Sequence, residues 1–196
     1  MADSELETEL KKKLLTLPER KQLAFALVLC ERMMPAMRIF AKETNFAYDI
    51  YEQCLSHAWK ALEGNDRFDR YAEMAEKCLR GAPNTEDFDN PLVSSALNTA
   101  LSISAVMMFL SDTSLDHIVE AADLACETVA AHTQRYVAKS PLALSVKQIM
   151  EHPAMRQEVA QQLSDFAFLE SLPSDASQDF VTQSKNRAEL APKLFS

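Results

Sequence analysis

Two pairs of acids in this chain are spaced for metal chemistry. Glu73-x-x-Glu76 and Glu120-x-x-Asp123 each set two carboxylates three residues apart, a spacing that on a helix aims both side chains one way. On facing helices such pairs could hold Mg²⁺ ions that grip a triphosphate, making the chain a hydrolase of nucleotides or related phosphate compounds. With 29 Asp and Glu in 196 residues, short acidic spacings also arise by chance, and they are then solvated helix faces. His117 with Glu120 at i+3 has the spacing of an acid–base pair, or is a surface histidine in a first helical turn. Asp87 and Asp89 flank Phe88 just before Pro91; they could hold a cation, or anchor the following helix through local hydrogen bonds.

Other chemistries lack their residues. The four histidines, His57, His117, His132 and His152, never pair at helical spacing, and neither ExxH nor HExxH occurs, so di-iron and zincin sites have no ligand set. Gly64 and Gly81 are the only glycines. Phosphate-cradling loops need glycine where backbone approaches ligand closely, and no GxGxxG, Walker or GxSxG pattern can be written with two. No cofactor is expected.

The net charge is −9, and all of it is generated between Phe46 and Arg135, where six Lys and Arg meet fifteen Asp and Glu. So acidic a middle segment repels a phosphate backbone, and nucleic acid is not an expected partner. Lys11-Lys12-Lys13 lies among Glu5, Glu7 and Glu9 and reads as a solvated helix face. Cys30, Cys54, Cys78 and Cys126 form no CxxC pair and fall among apolar neighbours, the pattern of buried free thiols in a reducing compartment. The N-terminus opens acidic where a secretory signal is basic and then apolar. A cytoplasmic protein is expected.

The elements that must position these residues are helices, because apolar residues recur at three- and four-residue intervals and sustained alternation is missing. A short helix is expected over Ser4 to Leu15. The next carries Leu23, Leu27, Cys30, Met34, Met37 and Ala41 on one face, with a kink or break at Pro35. A third runs from Phe46 to Glu63, closed by Gly64; Asn65 or Asp66 caps a short fourth that stops at Gly81. From Asn90 to Ser111 no residue is charged. That length invites a membrane span, but Ser94, Ser95, Asn98, Thr99, Ser102 and Ser104 favour a central helix wrapped by others. Leu115 to Lys139 follows, with Ile118, Ala122, Cys126, Val129, Thr133 and Tyr136 buried, until Pro141. Past a turn at Val146 to Glu151, a helix buries Met155, Val159, Leu163 and Phe166. The expected fold is all-α: about seven helices around the central one at 91–110, in a single domain over 1–172. Residues 173–196 read as a weakly helical extension. At this size one core removes about 70% of the unfolded surface from water, so no metal or disulfide is required.

Glu31-Arg32 stands mid-helix beside Pro35 with apolar sequence on both sides. Buried charges need partners, so Arg32 is expected to meet a carboxylate, Asp87 or Asp89. The result is a clamp between helix and loop, or a polar pocket. Leu29-Cys30-Glu31-Arg32-Met33-Met34-Pro35, then Phe40 and Thr44-Asn45-Phe46, resembles the N-terminal signature of the YjaG-like family of bacterial proteins. Glu86-Asp87-Phe88-Asp89 resembles that family's second segment, and Ser114-Leu115-Asp116-His117 and Glu151-His152-Pro153-Ala154 follow in matching order. The resemblance spans Pro18 to Leu172 and leaves the stretch after Pro173 looking particular to this chain. It implies a helical cytoplasmic protein of a family of unknown function, with no catalytic residues to transfer. It marks Glu31, Arg32, Pro35, Asp87 and Asp89 as the place to look, and the observation that decides most is whether Arg32, Asp87, Asp89 and His117 converge on one concave site.

Three functions follow as expectations. The first is a non-enzymatic protein working through self-association, as a homo-oligomer, or through a protein partner, with the methionines Met33, Met34 and Met37 as adaptable contact residues. The second is the Mg²⁺-dependent hydrolase, and the third a small-ligand binding module near Arg32 and the Asp87 loop. Neither nucleic acid nor membrane is an expected partner.

Overall fold

The structure is a computed structural model that describes residues 9–64, 69–137, 144–173 and 178–192. These residues form one packed bundle of helices with no strand among them. Helix α1 is seen at 9–14. It is followed by α2 (Glu19–Thr44), α3 (Asp49–Leu62), α4 (Tyr71–Arg80), α5 (Val93–Asp112), α6 (Leu115–His132), α7 (Val146–Met150), α8 (Pro153–Ser171) and α9 (Gln178–Leu190). A π-helical turn, Thr133–Val137, extends α6. The proposed caps Asn65 and Asp66, the breaker Pro141 and the side chain of Tyr136 lie outside the described residues.

Helix α5 is the uncharged central element, packed against α2, α3, α4 and α6. Its composition explains its position. Ala96, Ala100, Ser102 and Ser104 are nearly or fully buried, and such small side chains let neighbouring helices approach closely. Their polar atoms are answered inside the bundle. Thr99 donates to the Ser95 carbonyl at 2.7 Å, Ser104 to the Ala75 carbonyl at 3.0 Å, and Asn98 to Thr128 at 3.1 Å. By length and composition α5 is apolar enough to cross a membrane, but 67% of that stretch is buried inside the bundle, as in the core helix of a soluble protein.

Of the kink or break expected at Pro35, the break does not occur: helix α2 runs on through it for 26 residues. Proline deprives a helix of one hydrogen bond, but Met33, Met34, Ala36 and Met37 on either side are fully buried, and their packing offsets that loss. The methionine stripe is therefore core and presents no contact surface. The helix ends where Asn45 turns left-handed at φ 58° and the Phe46 N–H returns to the Ala41 carbonyl at 3.1 Å, a Schellman closure. Phe46 then packs at a tilt against Phe40, ring centres 5.3 Å apart.

Thr113 ends α5 in the same left-handed region, φ 56°, where a β-branched side chain is strained. Thr113→Gly should therefore raise stability by about 0.5–1 kcal/mol, read as a higher thermal midpoint in circular dichroism. An unchanged or lower midpoint would mean that the threonine side chain compensates for its backbone.

The weak apolar pattern after Pro173 resolves into a docked helix. α9 packs on α2 and buries Phe180, Val181, Ser184 and Ala188. Its pattern reads weakly because few apolar residues are needed when arginine and lysine complete the contact. Arg187 donates to Asp165 at 2.7 Å and Lys185 to Glu63 at 2.7 Å.

Candidate functional site

Arg32 lies in the core, 1% exposed. One guanidinium nitrogen donates to Asp165 at 2.9 Å and the other to Glu158. Both carboxylates come from α8, where the i, i+7 spacing of 158 and 165 sets them two turns apart on one face. The network continues outward. Gln162 donates to Glu158 at 3.0 Å and to the Ala122 carbonyl of α6 at 3.1 Å, and Gln161 donates to Asp165 at 2.8 Å. With Arg187 on Asp165, two positive groups balance two negative ones. This is a charge clamp that ties α2, α8 and α9 together, with α6 joined through Gln162.

The expected partners of Arg32 are thus corrected: Asp87 and Asp89 are exposed, and the carboxylates it meets are Glu158 and Asp165. The loop reaches α2 by another route. Phe88 inserts between its two aspartates against Phe40 and Phe46, with ring centres 5.0 and 5.9 Å away. Apolar burial fixes the phenylalanine and turns both flanking acids to water. The two sequence blocks that carried the family resemblance therefore do meet, through aromatic rings instead of charges.

The remaining members of the predicted cluster fall elsewhere. Glu31, one residue from Arg32 but rotated about the helix, accepts from the Trp59 indole at 3.0 Å. It faces a cleft of about 220 Å³ shared with Lys185 and Glu189. His117 sits at the α5–α6 corner, 3.1 Å from Asp112 and 3.8 Å from Glu120. Arg32, the Asp87 loop and His117 have no partner in common, so they build no shared site.

The acidic pairs do not converge either. Glu73 and Glu76 point to solvent on α4 and pair locally with Arg70 at 3.6 Å and Arg80 at 3.3 Å. Glu120 is exposed on α6, and Asp123 lines a small groove with Leu10, Cys126 and Leu163. Among the described residues no group of three or more His, Cys, Asp or Glu is placed to hold a metal ion. The metal reading fails because α4 and α6 each pack on α5 and are not main neighbours of one another. Cys126 is no better placed for nucleophilic work: burial, then Glu158 and Asp123, push its thiol up to about 12.

At the α5–α6 corner Asp112 accepts from the Ser114 N–H at 2.8 Å. That bond, then the one from His117, holds its carboxyl below the usual carboxylate range. A depressed acid stabilises the fold above its unfolded pKa and loses that contribution as pH falls through the folded value. Asp112→Ala should lower the thermal midpoint at neutral pH, and the gap should narrow under acid conditions. A gap that stays constant with pH would rule out the charge as its origin.

One concavity that the sequence did not signal opens where three helix ends meet. Glu19, Arg20 and Leu23 of α2, Ala61 and Leu62 of α3 with Glu63 and Gly64 after it, and Phe109, Leu110 and Thr113 at the end of α5 enclose about 370 Å³. Leu23, Leu62 and Phe109 are nearly buried and form an apolar floor. Arg20 at the rim donates to the Leu62 carbonyl at 3.0 Å and lies 5.0 Å over the Phe180 ring.

A family model described as a protein of unknown function (DUF416) matches residues 9–191. The chain belongs to the DUF416 family. The family match runs through α9, so the last helix is part of the family fold and not peculiar to this chain. Relatives described as uncharacterized protein YjaG are 29% identical in Escherichia coli K12 and 27% in Salmonella typhimurium LT2, each over 140 residues and 70% of both chains. The crystal structure of a DUF416 family protein from Shewanella baltica OS155 superposes with a TM-score of 0.79 over 91% of this chain and 92% of that one, at 21% identity. At that identity the likeness establishes the DUF416 fold alone.

Proposed function

We propose that this DUF416 protein is a non-enzymatic helical protein of the bacterial cytoplasm that works by binding, either to a protein partner or to a second copy of itself. The observation that carries this reading is the commitment of its deeply buried charges. Arg32 pairs through its two terminal guanidinium nitrogens with Glu158 and Asp165 across α2 and α8, while the other candidate groups stand exposed or in separate local pairs. Catalysis needs acid, base and charge-stabilising groups gathered on one concave site, and these are not. Four free thiols and an apolar helix held inside the bundle support the cytoplasmic placement. Sedimentation of the purified chain, with cross-linking and capture from a bacterial host, tests the reading. An assembly heavier than the 22.0 kDa chain, or a stoichiometric partner, is expected. A strict monomer with no recovered partner overturns it.

A second reading is favoured by the cleft at the ends of α2, α3 and α5, whose 370 Å³ falls in the range of small-molecule sites. In that reading the protein is a small-ligand binding module, with its pocket away from Arg32. A metabolite that raises the thermal midpoint of the wild-type chain but not of Ala61→Phe, which fills the cleft, supports it. Equal shifts in both chains count against it.

A further inference from the structure

Cys54 and Cys78 are 24 residues apart in the chain and belong to different helices, yet the fold brings them together. Both are fully buried, and their sulfur atoms are 3.3 Å apart. A disulfide bond is about 2.05 Å long, so the two sulfurs need approach by only about 1.3 Å. The surroundings permit it. α4 is a 10-residue helix whose main contacts are with α5, and it touches α3 at few places. One of those places is beside the cysteines, where the Tyr51 hydroxyl donates to the Cys78 carbonyl at 3.3 Å. Of the other two thiols, Cys126 is partly exposed and reaches only Gln162, at 3.5 Å.

We propose that Cys54 and Cys78 are a modification site, a dithiol that peroxide converts to a disulfide stapling α3 to α4. In the first step one thiolate attacks a peroxide oxygen. The O–O bond breaks, and the products are a sulfenic acid and hydroxide, which takes up the thiol proton to become water. The second thiol then attacks the sulfenic sulfur; the S–S bond forms, the S–O bond breaks, and a second water leaves. Two thiols give up two electrons and peroxide accepts them. Hydrogen bonding to Cys78, followed by burial, holds the Cys54 thiol far above the ordinary range, so the closed protein keeps few thiolates for attack. Oxidation therefore waits on local opening of the short α4. The dithiol survives ordinary conditions and responds to oxidant that persists.

Peptide mapping of the full, folded chain tests this after hydrogen peroxide, thiol blocking and digestion without reduction. The expected product is a Cys54–Cys78 disulfide, absent after later dithiothreitol treatment. The oxidised chain should melt at a higher temperature than the reduced one. Cys54→Ser should lose both the product and the shift, and Cys78→Ala supplies the same control if the serine variant folds poorly. The wild-type map needs neither variant. Cys54 and Cys78 both recovered as blocked thiols while Cys126 is oxidised would overturn the proposal, as would pairing no different from that of chain oxidised in denaturant.

Discussion

Arg32→Met is expected to cost about 3–5 kcal/mol, much of the stability that a domain of this kind possesses. The loss does not come from a missing attraction alone. Methionine fills the volume of the arginine stem, but Glu158 at 3% exposure and Asp165 at 0% are left charged in the core. Asp165 retains Arg187 and Gln161, whereas Glu158 retains only the neutral amide of Gln162. Urea unfolding followed by circular dichroism reads the effect as a lowered midpoint. Arg32→Lys should fall between the two, since a single ammonium cannot fork to two carboxylates as a guanidinium does. A midpoint unchanged in Arg32→Met would mean that the buried acids are already neutral or solvated.

The second large effect is expected from removing α9. Ending the chain after Pro173 uncovers the contacts of Phe180 and Val181, 2% and 1% exposed. Burial of two such side chains stabilises by about 3–6 kcal/mol. It also takes Arg187 from Asp165 and Lys185 from Glu63. The backbone entropy regained by the freed segment offsets part of this, which leaves a net loss of about 2–4 kcal/mol. The truncated chain should bind a hydrophobic dye and unfold at lower urea. Wild-type behaviour would show that α9 rests on the bundle without supporting it.

Much of the fold is legible in the sequence because helices announce themselves through periodicity and missing charge. The stretch without charge from Asn90 to Ser111 becomes α5, Val93–Asp112, since a helix touched on all sides has no place for an ion. Arg32 reads correctly as a buried charge in need of an acid, but the identity of that acid does not. Its partners lie 126 and 133 residues away, and a periodicity reading turns them outward by assuming that polar residues face water. That assumption also misplaces α8. The sequence pattern selects Met155, Val159, Leu163 and Phe166, whereas Met155, Glu158, Gln162, Asp165, Phe166 and Leu169 are the buried side chains and Leu163 is 41% exposed. A core arginine rotates its partner helix toward its acids, because an unpaired buried charge costs more than an exposed leucine.

The cleft and the thiol pair were illegible for a different reason. The cleft is built from the ends of three helices, where periodicity stops and only Gly64 and Thr113 mark a change of direction. Cys54 and Cys78 meet at one of the few places where α4 touches α3, and no local spacing records that. The Asp87-Phe88-Asp89 loop shows the converse. Its acids have the spacing of chemistry, while the phenylalanine between them is the part that the fold uses.

The buried charges of α2 and α8 fasten the bundle. The direct test is the urea stability of the triple variant Arg32→Met/Glu158→Leu/Asp165→Leu beside that of Arg32→Met. A fastening made of charges can be replaced by one made of apolar contacts. The triple variant should then unfold within about 1 kcal/mol of wild type or above it, while the single variant falls far below. A triple variant no more stable than Arg32→Met would contradict the account.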